Sequence, residues 1–475
     1  MKRIAAIMLA LAMLTLCLPA FAYETVTVSG ADELLRFNSE LSEMVKRYPA
    51  VSDGEGAFSA ARIIVGCDRS LNLNGALSYA RGCGRYVIQY GSPDEAREAL
   101  ERFKALSYVE YAVPDAPVVF GAGEERTALK QQPGVNGFKS WGYGEDYINA
   151  FAFNEMLIEE AGSVSALPEI IVAVIDSGLA GSHPFFAGRT VPGWDLADND
   201  GDTSGGFFHG THVAGTVVDG TLPNVKVMPL KCTDDNGIAV TSVIINCIQY
   251  AYQHGARVAN VSMGGYYPET ASAYTSVINA GADAGMVTCV ASGNDAMNVA
   301  YCYPACIGRA LTVAAHDRSF NMWAGSNTGN AVDVTAPGVD IISAMPNGGY
   351  QAQTGTSMAS PHAAAACAML MSRDPDMSAD EVMDAIKNAA VDRGLNGGGT
   401  GVLCMTALID AGPIVPGDAD GSGEVSVGDA LLVLRFSMGI VGASDININA
   451  ADIDGDGEVT VADALIILRR AMGIR

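Results

Sequence analysis

Apolar residues in the middle of this chain gather into short runs between polar turns, and these runs alternate with longer helical ones. Ile170 to Ile175 carries no polar residue and reads as a buried parallel strand. Val225–Met228, Val258–Val261 and Met286–Val290 read as further strands. Thr241 to Tyr252 reads as the helix after Val225–Met228, and Ala359 to Leu370 as a helix of small residues. This alternation predicts an α/β fold over residues 139–412, a mostly parallel sheet with helices on both faces. In such sheets ligands bind at strand ends and the loops beyond them.

Upstream the pattern changes. Arg62–Val65 and Tyr86–Tyr90 read as strands. Ser92-Pro93-Asp94-Glu95 is a capping box with proline at the first helical position. The helix it opens carries Ala96, Ala99, Leu100, Phe103 and Leu106 on one face, and Tyr108–Val113 closes the unit as a strand. A small α+β domain is expected within residues 23–120. Residues 121–138 are polar and unpatterned, as an exposed, cleavable linker would be. At the start, Lys2 and Arg3 precede a largely apolar run from Ile4 to Leu18, then Ala20-Phe21-Ala22. That run is short for a span of about 20 residues and suits a secretory signal, cleaved after Ala22. Leu16 before Cys17 is too bulky for a lipoprotein anchor. Free secretion, extracellular localisation and no membrane insertion are expected.

The chain has 475 residues, 49% of them hydrophobic, enough for a large core and more than one domain. Its net charge of −25 argues against nucleic acid and anionic membranes as partners. Nine cysteines follow the signal, an odd number, so at least one thiol stays free. Cys67 with Cys83, and Cys302 with Cys306, could pair, whereas Cys247 and Cys367 read as core thiols; spacing does not fix the connectivity.

Three motifs then change the picture. Asp176-Ser177-Gly178 follows the first strand, His209-Gly210-Thr211-His212-Val213-Ala214-Gly215 comes next, and Gly355-Thr356-Ser357-Met358-Ala359-Ser360-Pro361 closes the set. A serine hydroxyl attacks a carbonyl at neutral pH only if an imidazole takes its proton, and that imidazole needs a carboxylate to fix its tautomer. Ala359 two places after Ser357, and Asp and His ahead of Ser, exclude the esterase elbow and its reversed order. Asn294, in Ala291-Ser292-Gly293-Asn294, supplies an amide donor for a developing oxyanion.

In these motifs, taken together and in this order, the chain resembles the subtilisin-like serine proteases, the subtilase family. The resemblance implies a serine endopeptidase acting on polypeptide substrates as a monomeric catalytic domain. Ser357 would be nucleophile, His209 proton shuttle, Asp176 its orienting partner and Asn294 the oxyanion donor. Ser262-Met263-Gly264 matches the family's substrate-binding strand, and a side-chain pocket is implied between it and Ala291-Ser292-Gly293. Asp295 and Cys302 fall near the base and wall of that pocket, where an acidic base would favour Lys or Arg ahead of the scissile bond. The small upstream domain resembles the family's propeptide, an intramolecular chaperone and inhibitor. One departure concerns calcium: members with a tight site have Asp after the His-Pro that follows the Asp motif, and here Phe185 follows His183-Pro184. The loop giving the other ligands looks deleted, since Thr216–Gly220 runs almost directly into Val225, so that site is expected to be absent. Asp198-Asn199-Asp200-Gly201-Asp202 has the oxygen groups of a different calcium loop, but the preferred reading is an exposed acidic turn.

The last sixty residues or so are a duplication. Asp418, Asp420, Ser422, Glu424, Ser426 and Asp429 recur thirty-four residues later as Asp452, Asp454, Asp456, Glu458, Thr460 and Asp463. Oxygen groups at loop positions 1, 3, 5, 9 and 12, a glycine at 6 and a backbone carbonyl at 7 match the EF-hand calcium loop. Each loop leads into an apolar run, Ala430–Leu434 and Ala464–Leu468, expected to pack together as helices. Aspartate at position 12, and the Met-Gly-Ile closing each copy, resemble dockerin modules of the type I kind. The resemblance implies a small all-α unit over 417–475, two bound calcium ions, and attachment to the cohesin module of a cellulosome-type scaffoldin. Val427, Gly428, Val461 and Ala462 would meet that partner, and Pro413–Pro416 makes a short, stiff join. Two other readings stand beside this one: a processing protease for partners in the same complex, and a dockerin-borne binding protein with a vestigial protease fold, against which the complete set of catalytic residues argues.

Overall fold

The computed structural model describes residues 29–47, 57, 60–119, 140–205, 207–234, 237–410, 416–422, 424–442, 446–454 and 458–474. The expected signal, the linker 121–138, residues 413–415 and Asp456 lie outside the described residues.

The N-terminal unit begins with helix α1 (Ser29–Arg47). Strands β1 (Arg62–Gly66), β2 (Ser78–Gly82) and β3 (Arg85–Gln89), helix α2 (Pro93–Lys104) and strand β4 (Tyr111–Pro114) follow. The strands form an antiparallel sheet in the order β2-β3-β1-β4. Ser92 caps α2 by accepting from the Glu95 N–H, but the Glu95 carboxylate turns back to Gly91, so the box closes one residue early. β4 starts at Tyr111 rather than Tyr108, because two tight turns through Leu106 and Val109 use up the intervening chain. Period-2 alternation splits the sheet: Ile63, Val65, Tyr86 and Ile88 pack on α2, whereas Ile64, Val87 and Val113 join Leu34, Phe37 and Leu41 of α1. The spacing of those α1 residues is helical, yet α1 and β2 are additions to the sequence reading.

The central unit is a seven-stranded sheet, parallel throughout, in the order β13 (Val334–Pro337), β12 (Ala310–His316), β11 (Val287–Ala291), β10 (Ala256–Val261), β6 (Ile170–Asp176), β8 (Val225–Lys231) and β7 (Trp194–Asp195). After β5 (Pro117–Val119), which ends the N-terminal unit, the chain runs α3 (Ala150–Ala161), β6 (Ile170–Asp176), β7 (Trp194–Asp195), α4 (His209–Gly220) and β8 (Val225–Lys231). Next come β9 (Ile238–Val240), α5 (Thr241–Gln253), β10 (Ala256–Val261), α6 (Ala271–Asp283), β11 (Val287–Ala291) and β12 (Ala310–His316). It closes with β13 (Val334–Pro337), the hairpin β14 (Ile341–Ala344) and β15 (Tyr350–Gln353), α7 (Thr356–Arg373), α8 (Ala379–Ala389) and α9 (Thr406–Asp410). Along β6, Val172 and Val174 face α4 and α7, while Ala173 and Ile175 face α5 and α6. Burial on both faces is why these strands are continuous apolar runs. The N-terminal unit lies against the α5–α6 side, where the core of α1 and its sheet merges with theirs.

At the C-terminal end, α10 (Val427–Ser437), a short turn α11 (Ile448–Ala451) and α12 (Val461–Ala471) form a separate small core around Val433 and Ile467. Among the described residues no helix is long and apolar enough to cross a membrane. The two suggested cysteine pairs are not formed: Cys67, Cys83, Cys302 and Cys306 are all free thiols. The Cys67 sulfur instead exchanges hydrogen bonds with the backbone of Arg69.

Candidate active site

Asp176 is the last residue of β6 and His209 the first of α4, so both arise at the C-terminal edge of the sheet. His209 Nδ1 lies 2.8 Å from Oδ1 and 2.9 Å from Oδ2 of Asp176, and both residues are fully buried. The Ser177 N–H donates to Asp176 Oδ1 at 2.7 Å, and the Ser177 hydroxyl accepts from the Gly210 N–H at 3.1 Å. A Cβ at Gly210 would come 2.3 Å from the Gly178 carbonyl and 3.1 Å from Asp176 Cβ. Only glycine lets α4 start this close to the aspartate.

Ser357 is the second residue of α7. Its hydroxyl donates to the Ser262 carbonyl at 3.1 Å, and Ser262 Oγ donates to the Ser357 carbonyl at 3.2 Å. Behind this pair, Asn260 donates to Ser262 Oγ at 2.8 Å and accepts from Ser360 Oγ at 2.7 Å. The serine is thereby fixed against the end of β10. Its hydroxyl rests on the Ser262 carbonyl rather than on His209. Asn294 Oδ1 accepts from the Thr356 N–H at 2.8 Å and from Thr356 Oγ1 at 2.7 Å. With its oxygen held, the amide nitrogen is the free end of the side chain, at the N-terminus of α7.

A cavity of about 330 Å³ opens at this point. Ser262, Met263, Gly264, Ala291, Gly293, Asn294, Asp295, Cys302 and Ser357 line it. Ser292 does not: it is buried behind the wall, its hydroxyl donating to the Asn327 carbonyl at 3.0 Å. Burial pushes the Cys302 thiol up to about 12, so it is a neutral wall residue. Three contributions have no signal in the local sequence. The Tyr266 hydroxyl donates to Asp295 Oδ2 and accepts from Asn327 Nδ2 at 3.1 Å, which puts an aromatic ring on the acidic group of the pocket. Burial and the bond to Asp295 raise the phenol well above its ordinary value, so it stays protonated. Pro117 and Ile238 line the same cavity, because β5, at the end of the N-terminal unit, pairs antiparallel with β9.

The acidic turn at Asp198 is tied down by lysines: Asp198 meets Lys46 at 3.1 Å and Lys231 at 3.2 Å, and Asp195 meets Lys231 at 2.5 Å. The carboxylates that do converge are in the C-terminal unit. Ligand oxygens of Asp418, Asp420 and Asp429 lie within 4.8 Å of one another, as do those of Asp452, Asp454 and Asp463. Asp429 and Asp463 are fully buried, each closing a capping box at its helix, with Ser426 and Thr460. Three like charges at that separation oppose one another unless a cation sits among them, which is the donor set calcium takes.

Comparison with known proteins matches residues 168–405 to the subtilase family and residues 416–470 to the dockerin type I domain. The chain is similar to thermitase of Thermoactinomyces vulgaris, 37% identical over 228 residues, 46% of this chain and 80% of that protein. It is similar to subtilisin DY of Bacillus licheniformis, 34% identical over 234 residues, 47% of this chain and 84% of that one. Among solved structures, the crystal structure of a cold adapted subtilisin-like serine proteinase aligns with a TM-score of 0.47 at 31% identity, over 50% of this chain and 88% of the other.

Proposed function

From the premise that this chain belongs to the subtilase family, and so is a serine endopeptidase carrying a dockerin domain, we propose that Asp176, His209 and Ser357 perform its chemistry. Ser357 Oγ attacks the peptide carbonyl as His209 takes its proton. Asp176 holds the imidazole in the required tautomer and stabilises its cationic form. Negative charge then develops on the carbonyl oxygen, between the Asn294 amide and the Ser357 N–H; one such donor is worth about 2.7–4 kcal/mol. His209 returns the proton to the leaving amine, and water repeats the sequence on the acyl-enzyme. The observation that carries this reading is the two-point contact of His209 Nδ1 with a buried Asp176 at the strand edge that also holds Ser357 and Asn294.

An extended peptide pairs with Ser262–Gly265 as an added strand and places one side chain in the cavity. The N-terminal unit acts as propeptide, its tail reaching the cavity through the β5–β9 pair. The dockerin holds two calcium ions, with Asp418, Asp420, Ser422, Glu424, Ser426 and Asp429 around one and Asp452, Asp454, Asp456, Glu458, Thr460 and Asp463 around the other. It attaches the secreted enzyme to a cohesin module. Val427 and Val461 are exposed there as the sequence reading expects, and Leu431 and Leu465 extend the same apolar groove.

Intact-mass analysis of the secreted chain tests the central claim. The wild-type chain loses roughly its first 110–140 residues and Ser357→Ala keeps its propeptide, since self-cleavage needs the nucleophile. Identical processing of both chains would assign the cleavage to another protease.

A further inference from the structure

Subtilases generally bind calcium, and the sequence points to residues 183–225 as the place of their tight site. The structure fills that place differently. Phe185 stands where an acidic ligand is expected, edge-on to His183, Phe186 and Tyr350 with ring centroids 6.4, 6.0 and 5.9 Å away. The chain leaves α4 at Gly220 and enters β8 at Val225, and the oxygens of this short crossing converge on a guanidinium. Arg189 donates to the carbonyls of Val218 at 3.3 Å, Thr221 at 3.2 Å, Leu222 at 3.0 Å and Val225 at 3.2 Å, and to Thr221 Oγ1 at 2.8 Å.

We infer that Arg189 is a built-in cation that holds the α4–β8 crossing, and that the catalytic unit therefore keeps its fold and activity without calcium. The carbonyls a metal would need are taken by a group with five N–H donors in a fixed fork. Calcium requires six to eight oxygens at about 2.3–2.6 Å, several of them anionic, and a resident guanidinium repels it. Finally, a cation at the C-terminal end of α4 complements the helix dipole, at the opposite end from His209. Burial lowers the Arg189 pKa to about 10, and the charge of nearby Asp219 opposes that shift, so the side chain is still cationic at neutral pH.

For activity, the inference rests on the reading of Asp176, His209 and Ser357 given above; for folding it stands without it. Its consequence is a division of labour. Calcium governs attachment through the dockerin, and chelation frees the enzyme from its scaffold without switching it off.

The test uses the full chain. All three tryptophans, Trp141, Trp194 and Trp323, belong to the catalytic unit and none to the dockerin. Melting followed by tryptophan fluorescence therefore reports the catalytic unit alone. The wild-type midpoint is expected to agree between millimolar calcium and excess chelator, with peptide hydrolysis equal in both. Arg189→Gln is expected to lower the midpoint in chelator by on the order of 5 °C, because several buried carbonyls lose their donor. Arg189→Lys, which keeps the charge, is expected to lie between. A wild-type midpoint that falls in chelator, or an Arg189→Gln midpoint equal to wild type, overturns the inference. A chain that hydrolyses no peptide in either medium removes the catalytic reading and leaves the melting comparison standing.

Discussion

Asp115 Oδ1 accepts a hydrogen bond from the backbone N–H of Ser242 at 2.8 Å, so a carboxylate of the N-terminal unit caps the first turn of α5 in the catalytic unit. Its Oδ2 accepts from Ser242 Oγ at 3.0 Å and from Arg62 Nε at 2.8 Å, with both charged side chains fully buried. Removing the carboxylate costs the cap about 1 kcal/mol. It also takes a carboxylate partner from the buried Arg62 guanidinium, which adds to that cost. In a Ser357→Ala background, where the chain stays whole, Asp115→Ala should lower the melting midpoint and speed hydrogen exchange in the first turn of α5. Unchanged exchange at Ser242 and Val243 would show that the contact does not couple the two units.

The triad assignment predicts a sharp asymmetry between fold and rate. Asp176→Asn should leave circular dichroism unchanged and reduce turnover on a peptide by about 10⁴, because the imidazole is left in the wrong tautomer. Wild-type activity should also fall as the medium is acidified, since a protonated His209 has no lone pair for the serine proton. An active Asp176→Asn enzyme with a flat pH profile would reject the assignment.

Much of this was legible in the sequence, for a physical reason. β6 and β10 are buried on both faces, so their apolar runs stand out, and the small residues around Asp176, His209 and Ser357 reflect close approach. Gly210 shows it: nothing larger fits between α4 and the Gly178 carbonyl. What stayed hidden depends on contacts far apart along the chain. Tyr266 meets Asp295, and Pro117 meets the cavity, through tertiary packing with no local pattern. Cysteine spacing likewise carries no information on Cα separation, so it does not distinguish paired from unpaired thiols. Helix α1 is a different case, because Leu34, Phe37, Leu41 and Met44 carry a helical period that was there to be read.

Acid stability should be set partly by His362 on α7. It is fully buried, with Nδ1 2.8 Å from the Met358 carbonyl and Nε2 3.0 Å from Ser140 Oγ, and burial lowers its pKa to about 3. The unfolded chain protonates the same imidazole near 6.5. Between those values the unfolded state binds a proton that the folded state refuses. Stability is therefore complete above about pH 6.5 and declines toward pH 3 by about 1.4 kcal/mol per unit from this group. His316, lowered in the same direction by burial, adds to the slope. His362→Gln should shrink the difference between melting midpoints at neutral and acid pH. An unaltered difference would mean that other groups control the transition.

Substrate preference should turn on Tyr266. As long as its hydroxyl occupies Asp295, the cavity offers mainly apolar walls, and a large uncharged side chain ahead of the scissile bond is favoured. Tyr266→Phe frees the carboxylate to meet a lysine or arginine. The ratio of kcat/KM for matched Lys and Phe peptides should then rise about tenfold, as one charge-assisted hydrogen bond would give. Asp295→Asn in the same background should return the ratio to its starting value. A ratio indifferent to both substitutions would place the Asp295 charge outside the reach of substrate.

The dockerin should be the calcium-dependent part of the molecule. Each loop draws three carboxylates together, one of them fully buried, Asp429 in the first loop and Asp463 in the second. The core they must hold is small, built around Val433, Ile467 and a few alanines. A unit of about 60 residues has too little buried surface to override that repulsion. A 413–475 fragment should therefore be unfolded in chelator and gain helix on calcium addition. The second loop should bind more tightly, since its position 5 is Asp456 where the first has Ser422. Asp463→Asn should weaken calcium binding in that loop and loosen the start of α12, whose capping box uses the same carboxylate. Once folded, the fragment should bind a cohesin module through the groove of Val427, Leu431, Val461 and Leu465. Circular dichroism that does not respond to calcium would overturn the folding claim. A calcium-loaded fragment that binds no cohesin would leave only a stabilising module.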